Sequence, residues 1–233
     1  SVSQAVSSLA SAIDFRGPRN KIVVDDFAFP AVAQVWHAQA ARGAQVVHVP
    51  AAGNSIPLSR YEELIDERTA LVSLAHVCYR NGVKQDAAAI AEIAHRKGAI
   101  VLLDAYQSLG AEPFDVKALN VDLLVGGDLK YLLGSTGVAW LYVRKELLSS
   151  LFPTSGGWFT QANIFAMDIY HHTPSPSARR FEAGTPPVPS LYAAIAGLQI
   201  IQEIGLPAIA AQIRTITDAI KSSAMRRGFR LAT

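Results

Sequence analysis

The sequence contains a single cysteine, Cys78, among 233 residues. One cysteine excludes an internal disulfide framework and is typical of a protein from a reducing compartment. The 19 acidic and 21 basic residues nearly balance, and the lysines and arginines form no basic stripe along the chain. Because nucleic-acid binding usually needs a basic surface, we expect no nucleic-acid partner.

Long hydrophobic runs are also missing from the sequence. No apolar stretch reaches the ~20 residues that span a bilayer, so no membrane partner is expected. The first residues show no basic segment followed by an apolar run, so no signal peptide is expected. Neither a G-x-G-x-x-G after the first strand nor a P-loop is present, which disfavours a nucleotide-binding protein. The sequence therefore predicts a cytoplasmic protein, and we expect no metal site in it.

What the sequence does contain is a regular alternation of β-branched runs and amphipathic stretches. Half of the residues are hydrophobic and 17% are charged, which allows a sizeable core. Strands are predicted at 21–26, 44–50, 70–77, 99–105, 121–127 and 137–143. Helices are predicted at 30–43, 58–65, 86–98, 191–205 and 206–228. This alternation predicts an α/β fold with a mostly parallel sheet flanked by helices.

The last third of the sequence differs in composition from the rest. Residues 151–190 are rich in Pro, Gly and Ser, which predicts an extended functional loop. The final GFRLAT, residues 228–233, predicts the start of a strand. We therefore expect a large domain from residue 1 to about 205, with an N-terminal part missing. Residues 206–233 are expected to begin a second, small α+β domain.

Polar residues follow several predicted strands where ligands bind in parallel α/β sheets, at the carboxyl ends. Asp104 closes an apolar run, and Lys130 follows VDLLVGG. Taken singly, Asp104 is typical of a helix N-cap, and Lys130 of a surface lysine whose stem lies along apolar neighbours. Together they predict a cofactor site, because a buried carboxylate keeps a pyridinium ring protonated and a desolvated lysine becomes a nucleophile.

The stretch LLDAYQSLGAEPFDVKALNVDLLVGGDLKYLLGSTGVAWLYV resembles the core of the fold-type I pyridoxal-phosphate enzymes of the class V aminotransferase family. That family includes cysteine desulfurases, kynureninases and isopenicillin N epimerase-like proteins. Its pattern of Asp, Gln or His, Lys and a Gly-containing turn matches Asp104, Gln107, Lys130, Gly134 and Gly137. RRFEAGTPPVPSLYAAIAGL extends the resemblance beyond this core.

The resemblance implies pyridoxal 5'-phosphate as the cofactor and a role for each matched residue. Lys130 would form the Schiff base with the cofactor and carry the Cα proton. Asp104 would pair with the pyridine nitrogen, and Gln107 would hydrogen-bond the phenolic oxygen of the ring. Phe29 stands where family members stack a His or Phe on the ring, and a core-filling aromatic is the alternative.

The resemblance also implies how the phosphate is held. Ser1 and Ser3 lie where the phosphate-binding turn of the family meets a helix N-terminus, an anion site; a solvated terminus is the alternative. Trp158 and Thr185 match loop residues that reach the phosphate of the neighbouring subunit in kynureninase-like members; loop packing is the alternative. A homodimer with shared active sites is therefore expected.

Some residues depart from the desulfurase pattern. Leu129 replaces a His or Tyr, Gly127 replaces a phosphate-binding serine, and Tyr79 replaces an asparagine. Cys78 ends a strand and is expected to be a small buried residue rather than a nucleophile. For the substrate carboxylate, the pair Arg179–Arg180 is available, with a solvated pair as the alternative.

These departures count against desulfurase chemistry and leave the reaction open. We expect a pyridoxal-phosphate enzyme that acts on a small amino acid by transamination, epimerisation or elimination. A cysteine desulfurase-like or kynureninase-like lyase is the alternative. A non-catalytic scaffold that keeps the fold is an alternative of another class.

Overall fold

The computed structural model describes residues 1–232 and contains one six-stranded sheet. The strands are β1 (Lys21–Asp25), β2 (Gln45–Val49), β3 (Thr69–Ala75), β4 (Ile100–Asp104), β5 (Leu123–Gly127) and β6 (Ala139–Val143). Their order is β2-β1-β3-β4-β5-β6. Neighbouring strands from β2 through β5 pair in parallel, and the edge strand β6 pairs antiparallel with β5. The predicted α/β class with a mostly parallel sheet is confirmed.

Six α-helices accompany the sheet within the described residues. They are α1 (Val2–Ser11), α2 (Pro30–Ala38), α3 (Leu58–Leu64), α4 (Ala87–Arg96), α5 (Val188–Ile204) and α6 (Leu206–Arg226). Local sequence explains several of their ends. Pro30 occupies the first turn of α2, where its missing N–H costs nothing. The Asp86 side chain caps α4 by accepting a hydrogen bond from the Ala89 N–H at 3.0 Å.

The core lies in two layers, one on each face of the sheet. Successive strand residues point to opposite faces, so Ile22 and Val24 pack toward α1 and α2, whereas Val23 packs toward α3 and α4. Trp36 of α2 and Tyr61 of α3 are fully buried in the two layers. The central strands β1, β3, β4 and β5 are thus covered on both faces, which explains their nearly continuous apolar runs, whereas the edge strands β2 and β6 are partly exposed.

The end of the described chain differs from the sequence-based expectation. GFRLAT was expected to start a strand, but residues 228–232 follow α6 as a turn and irregular chain, and Thr233 lies outside the described residues. Phe229 and Leu231 are exposed, so burial does not favour an extended pairing there. Residues 151–187 are mostly irregular with short 3-10 helices, as expected for a loop. The proposed domain boundary near residue 205 stays a prediction.

Membrane-spanning length was tested on the helices of the described residues. No single helix there is both long and apolar enough to cross a bilayer. Helices α5 and α6 satisfy length and composition only when taken as a pair, and they are bent by 81° where they meet.

Candidate functional site

The carboxyl ends of the parallel strands surround a pocket of about 330 Å³. Its lining comes from the loops after β1, β3, β4 and β5 and from the first residues of α1. Six residues predicted as cofactor ligands line it: Ser1, Ser3, Phe29, Asp104, Gln107 and Lys130. The fold thus brings together side chains that lie up to 129 positions apart (Ser1 to Lys130) in the sequence.

The turn that carries Lys130 begins directly after β5 ends at Gly127. Two backbone hydrogen bonds close it, from the Gly134 N–H to the Asp128 carbonyl at 2.8 Å and from the Leu133 N–H to the Lys130 carbonyl at 3.0 Å. Leu133 has a φ of 58°, in the left-handed region that leucine rarely adopts. The turn therefore holds a conformation that its sequence alone does not favour.

The Lys130 side chain reaches back into the pocket between two aromatic rings. Its Nζ lies 5.2 Å from the centre of the Tyr106 ring and 5.8 Å from that of the Phe29 ring. Lys130 as a residue is exposed, so the expected desolvated lysine is wrong for this chain. The reason is that Lys130 stands on the open rim of the pocket, three residues beyond the sheet that the apolar run forms.

Asp104 is the last residue of β4 and is 8% exposed. Its Oδ1 accepts a hydrogen bond from the Tyr106 N–H at 3.0 Å, a short turn rather than a helix cap. Burial raises the pKa of Asp104 to about 6, although the Tyr106 N–H and the charge of Lys130 both act to lower it. The pocket therefore contains a poorly solvated carboxyl group near a primary amine.

Phe29 lies just before α2, over the opening of the pocket. It is 42% exposed, so the alternative of a core-filling aromatic is wrong. Its ring meets the Tyr79 ring edge to face, with centres 5.0 Å apart. Two aromatic side chains from the ends of β1 and β3 therefore form one wall that a flat ring can stack against.

Ser1 and Ser3 lie at the N-terminus of α1, which opens into the pocket. The Ser1 Oγ caps the helix by accepting from the Gln4 N–H at 3.3 Å, which leaves the earlier N–H groups of the first turn without intrahelical partners. Such N–H groups, together with the helix dipole, favour an anion.

Trp158 and Thr185 do not reach this pocket within the chain. Trp158 begins a short 3-10 helix, where its Nε1 donates to the Ile164 carbonyl at 2.7 Å, and it lines a different cavity. Thr185 is exposed in the loop before α5. Their expected role in a neighbouring subunit stays a prediction.

Of the pair Arg179–Arg180, Arg179 is exposed, as the alternative of a solvated pair expects, but Arg180 is not. Arg180 is 5% exposed, and its guanidinium donates to the carbonyls of Ser175, Leu148 and Leu151. These contacts hold the loop that contains Arg180 against the segment of Leu148 and Leu151. Arg180 is therefore a structural residue in this chain.

Sequence reasoning missed a buried carboxyl group behind the pocket, that of Asp25. It accepts from the N–H groups of Phe27 and Ala75 and from the Gln85 side chain at 2.8–2.9 Å, and it lies 3.5 Å from the Tyr61 hydroxyl. Complete burial raises the pKa of Asp25 to about 7, against the lowering effect of these donors. Four segments that are distant in the sequence form this network, so no local sequence motif predicts it.

Sequence reasoning also missed Tyr106 as a pocket residue. It stands between Asp104 and Gln107, which were both predicted, but a strand-end tyrosine has no fixed direction in sequence. In the structure its ring lines the pocket beside Lys130. Cys78 is a buried free thiol, as expected, next to Tyr79.

The set of groups around the pocket fits pyridoxal phosphate. The amine of Lys130 suits its aldehyde, the carboxyl group of Asp104 suits a protonated ring nitrogen, and the α1 N-terminus suits a phosphate. A lysine, a buried carboxyl group and a helix N-terminus at one edge of the sheet are the groups expected in the large domain of a pyridoxal-phosphate protein.

Comparison with known families identifies the chain further. The model of the aminotransferase class-V family matches residues 2–228, and the chain belongs to this family. The expected resemblance is thereby confirmed, and membership supports pyridoxal phosphate as the cofactor.

Similar proteins come from several organisms. The chain is 43% identical over its whole length to YcbU, an uncharacterized aminotransferase of Bacillus subtilis strain 168, and spans 60% of that protein. It is 38% identical over 67% of its length to a cysteine desulfurase of Synechococcus elongatus, of which it spans 24%. The apo structure of a cysteine desulfurase from Thermococcus onnurineus NA1 superposes with a TM-score of 0.84 at 26% identity, covering 96% of this chain and 56% of that one.

Proposed function

We propose that the protein carrying this chain is a pyridoxal-phosphate-dependent enzyme that acts on a small amino acid. The observation that carries the proposal is the meeting of Lys130 and Asp104, from the ends of β5 and β4, in one pocket. Pyridoxal phosphate supplies an electron-accepting ring that acidifies the Cα–H of a bound amino acid. Transamination, epimerisation and elimination all begin with that loss of the Cα proton.

Each pocket residue has a task in this proposal. Lys130 Nζ would hold the aldehyde group of the cofactor and, when free, would take up and return the Cα proton. Asp104, in its ionised form, would accept a hydrogen bond from the ring nitrogen and keep that nitrogen protonated. Gln107 would hydrogen-bond the phenolic oxygen, and Phe29 would pack on the ring face. Ser1 and Ser3 would place the α1 N-terminus against the phosphate.

Absorption spectroscopy tests the lysine assignment. The wild-type protein is expected to gain a visible band with pyridoxal phosphate, and borohydride should fix the cofactor to Lys130, as peptide mass spectrometry would show. Lys130→Ala should lose both signals, whereas Lys117→Ala, at an exposed position outside the pocket, should keep them. A Lys130→Ala variant that retains the band would overturn the assignment.

A panel of small amino acids then separates an enzyme from a scaffold. An enzyme should change its visible spectrum with at least one of them and exchange the Cα proton of that amino acid with deuterium from the solvent. Bound cofactor without any such change would favour the non-catalytic scaffold. Alanine formed from cysteine, with the sulfur reduced to sulfide by an added thiol, would instead favour the desulfurase-like lyase, and alanine formed from kynurenine would favour the kynureninase-like lyase.

The proposal extends to assembly and location. We propose a homodimer in which Trp158 and Thr185 complete the site of the other subunit. Trp158 is 44% exposed, Thr185 is also exposed, and both lie outside the pocket of their own chain. Lys130→Ala and Thr185→Ala chains, mixed, should partly regain activity, since one site per hybrid keeps both residues. Hybrids as inactive as either parent would refute shared sites.

A cytoplasmic location is proposed from the free thiol of Cys78.

A further inference from the structure

Tyr106 presents two different chemical surfaces to the pocket. The face of its ring lies 5.2 Å from Lys130 Nζ, while the hydroxyl at the far end of the ring extends toward the end of β5. The ring also packs against the core layer that contains Val2 and Val6 of α1. The hydroxyl is therefore carried to the side of the sheet on which the α1 N-terminus lies.

Gly127 makes this position of the ring possible. A Cβ at residue 127 would lie 2.7 Å from the Tyr106 hydroxyl oxygen and 2.8 Å from two carbons of the ring. Such distances are too short for any side chain, so the hydroxyl takes the space that a residue 127 side chain would need. At this end of the pocket Tyr106, and not residue 127, therefore has a polar atom to offer.

At the α1 N-terminus, where an anion is favoured, the pocket formed by the described residues has no cationic side chain free to bind a phosphate, so a neutral hydrogen-bond donor is needed there. Among the residues that line it, Lys130 is the one cationic side chain, and the proposed function engages its amine elsewhere. Within this chain, the groups that line the pocket and could hold a phosphate at the α1 N-terminus are therefore backbone N–H groups and hydroxyls. Burial and the nearby carboxyl groups of Asp128 and Asp104 raise the pKa of Tyr106, which keeps its hydroxyl protonated and able to donate.

We propose that the Tyr106 hydroxyl donates a hydrogen bond to the phosphate group of the cofactor and, with the α1 N-terminus, sets the preference of the pocket for a phosphorylated ligand. This inference rests on the proposed function. It assigns to Tyr106 a binding role that removal of the hydroxyl alone can test, because Tyr106→Phe keeps the ring that packs against Lys130 and α1.

The test compares pyridoxal phosphate with pyridoxal, which lacks the phosphate, on the complete gene product without cofactor. Hydrogen bonds to charged groups are worth enough that Tyr106→Phe should weaken pyridoxal phosphate binding about tenfold to hundredfold. Binding of pyridoxal should change by less than about twofold, since it lacks the accepting group. Tyr142→Phe, which removes a hydroxyl from the opposite core layer, is the matched control and should alter neither affinity.

Each remaining outcome identifies what fails. Equal weakening of both ligands would mean that Tyr106 acts on the ring and not on the phosphate, and unchanged binding of both would mean that its hydroxyl makes no contact; either result overturns the inference alone. A wild-type protein that binds neither ligand would overturn the proposed function and this inference with it.

Discussion

Replacing Asp104 by Asn should make the cofactor-free protein more stable, although it removes a residue proposed for catalysis. The carboxyl group is 8% exposed, and its pKa of about 6 lies roughly 2 units above the value of about 3.9 for an unfolded chain. Ionising it in the folded state therefore costs about 3 kcal/mol at pH 7 and above. Asn keeps an oxygen for the Tyr106 N–H and carries no charge.

The pH dependence follows from the direction of this shift. Because the folded-state pKa is raised, the folded protein binds more protons than the unfolded one between about pH 4 and pH 6. Wild-type stability from Asp104 is therefore greatest below that window and falls as the pH rises through it. The advantage of Asp104→Asn should be small near pH 4, about half of its full size at pH 5 and about 3 kcal/mol at pH 8.

Thermal unfolding of the apoprotein at pH 5 and pH 8 measures this difference. An advantage of 3 kcal/mol corresponds to a rise in melting temperature of about 6–12 °C for a protein of this size. Asp115→Asn is the matched control, because the Asp115 Oδ1 also accepts from a backbone N–H two residues on, that of Lys117 at 2.8 Å, but Asp115 is exposed. If Asp104→Asn is no more stable than the wild type at pH 8, or equally stabilising at both pH values, burial of a charge is not what sets the pKa.

Two further predictions concern packing around the site. Gly197→Ala should destabilise the protein by about 1–3 kcal/mol, because the new Cβ would lie 2.4 Å from the Leu132 carbonyl oxygen, in the turn after the lysine. Gly184→Ala is the control, because no heavy atom lies within 4 Å of its new Cβ. Equal melting temperatures of the two variants would contradict the clash. Gln85→Leu should cost about 2–4 kcal/mol, because it removes a donor from the buried Asp25 carboxyl group. An unchanged midpoint of urea unfolding would show that this network does not need Gln85.

The sequence predicted the framework well because its signals are local. Every predicted strand from 21–26 to 137–143 has a counterpart. The signal is strongest for the central strands β1, β3, β4 and β5, because runs buried on both faces of a sheet are hydrophobic throughout. The Asp86 cap and the Pro30 start of α2 also depend on neighbouring residues only. The pocket could be anticipated for a related reason: parallel strands bring their carboxyl ends to one edge, so Asp104 and Lys130 had to approach each other.

The features that sequence reasoning missed depend on the direction of side chains and on contacts between residues that are distant in the sequence. The apolar run around Lys130 suggested burial, and the predicted strand end at Gly127 is confirmed, but the sequence does not show that the turn after β5 leaves the lysine on the rim. The placement of the Tyr106 ring, in the turn after β4, depends on the absence of a side chain at Gly127, at the end of β5. A strand was expected at 228–233 from residue type alone, where the described residues give it nothing to pair with.

The two buried carboxyl groups, on Asp25 and Asp104, differ in their hydrogen-bond partners, and this difference suits one to a structural role and the other to ligand binding. Burial raises the pKa of both, to about 7 and about 6, and each stands at the end of a parallel strand. Asp25 is surrounded by donors from three other segments, which hold the ends of β1 and β3 together behind the pocket. Asp104 accepts from one backbone N–H nearby and lines the cavity opposite Lys130. A carboxyl group whose ionised form gains little from its own protein has the most to gain from a cationic ligand, and this difference is why we propose Asp104, and not Asp25, as the partner of a protonated ring.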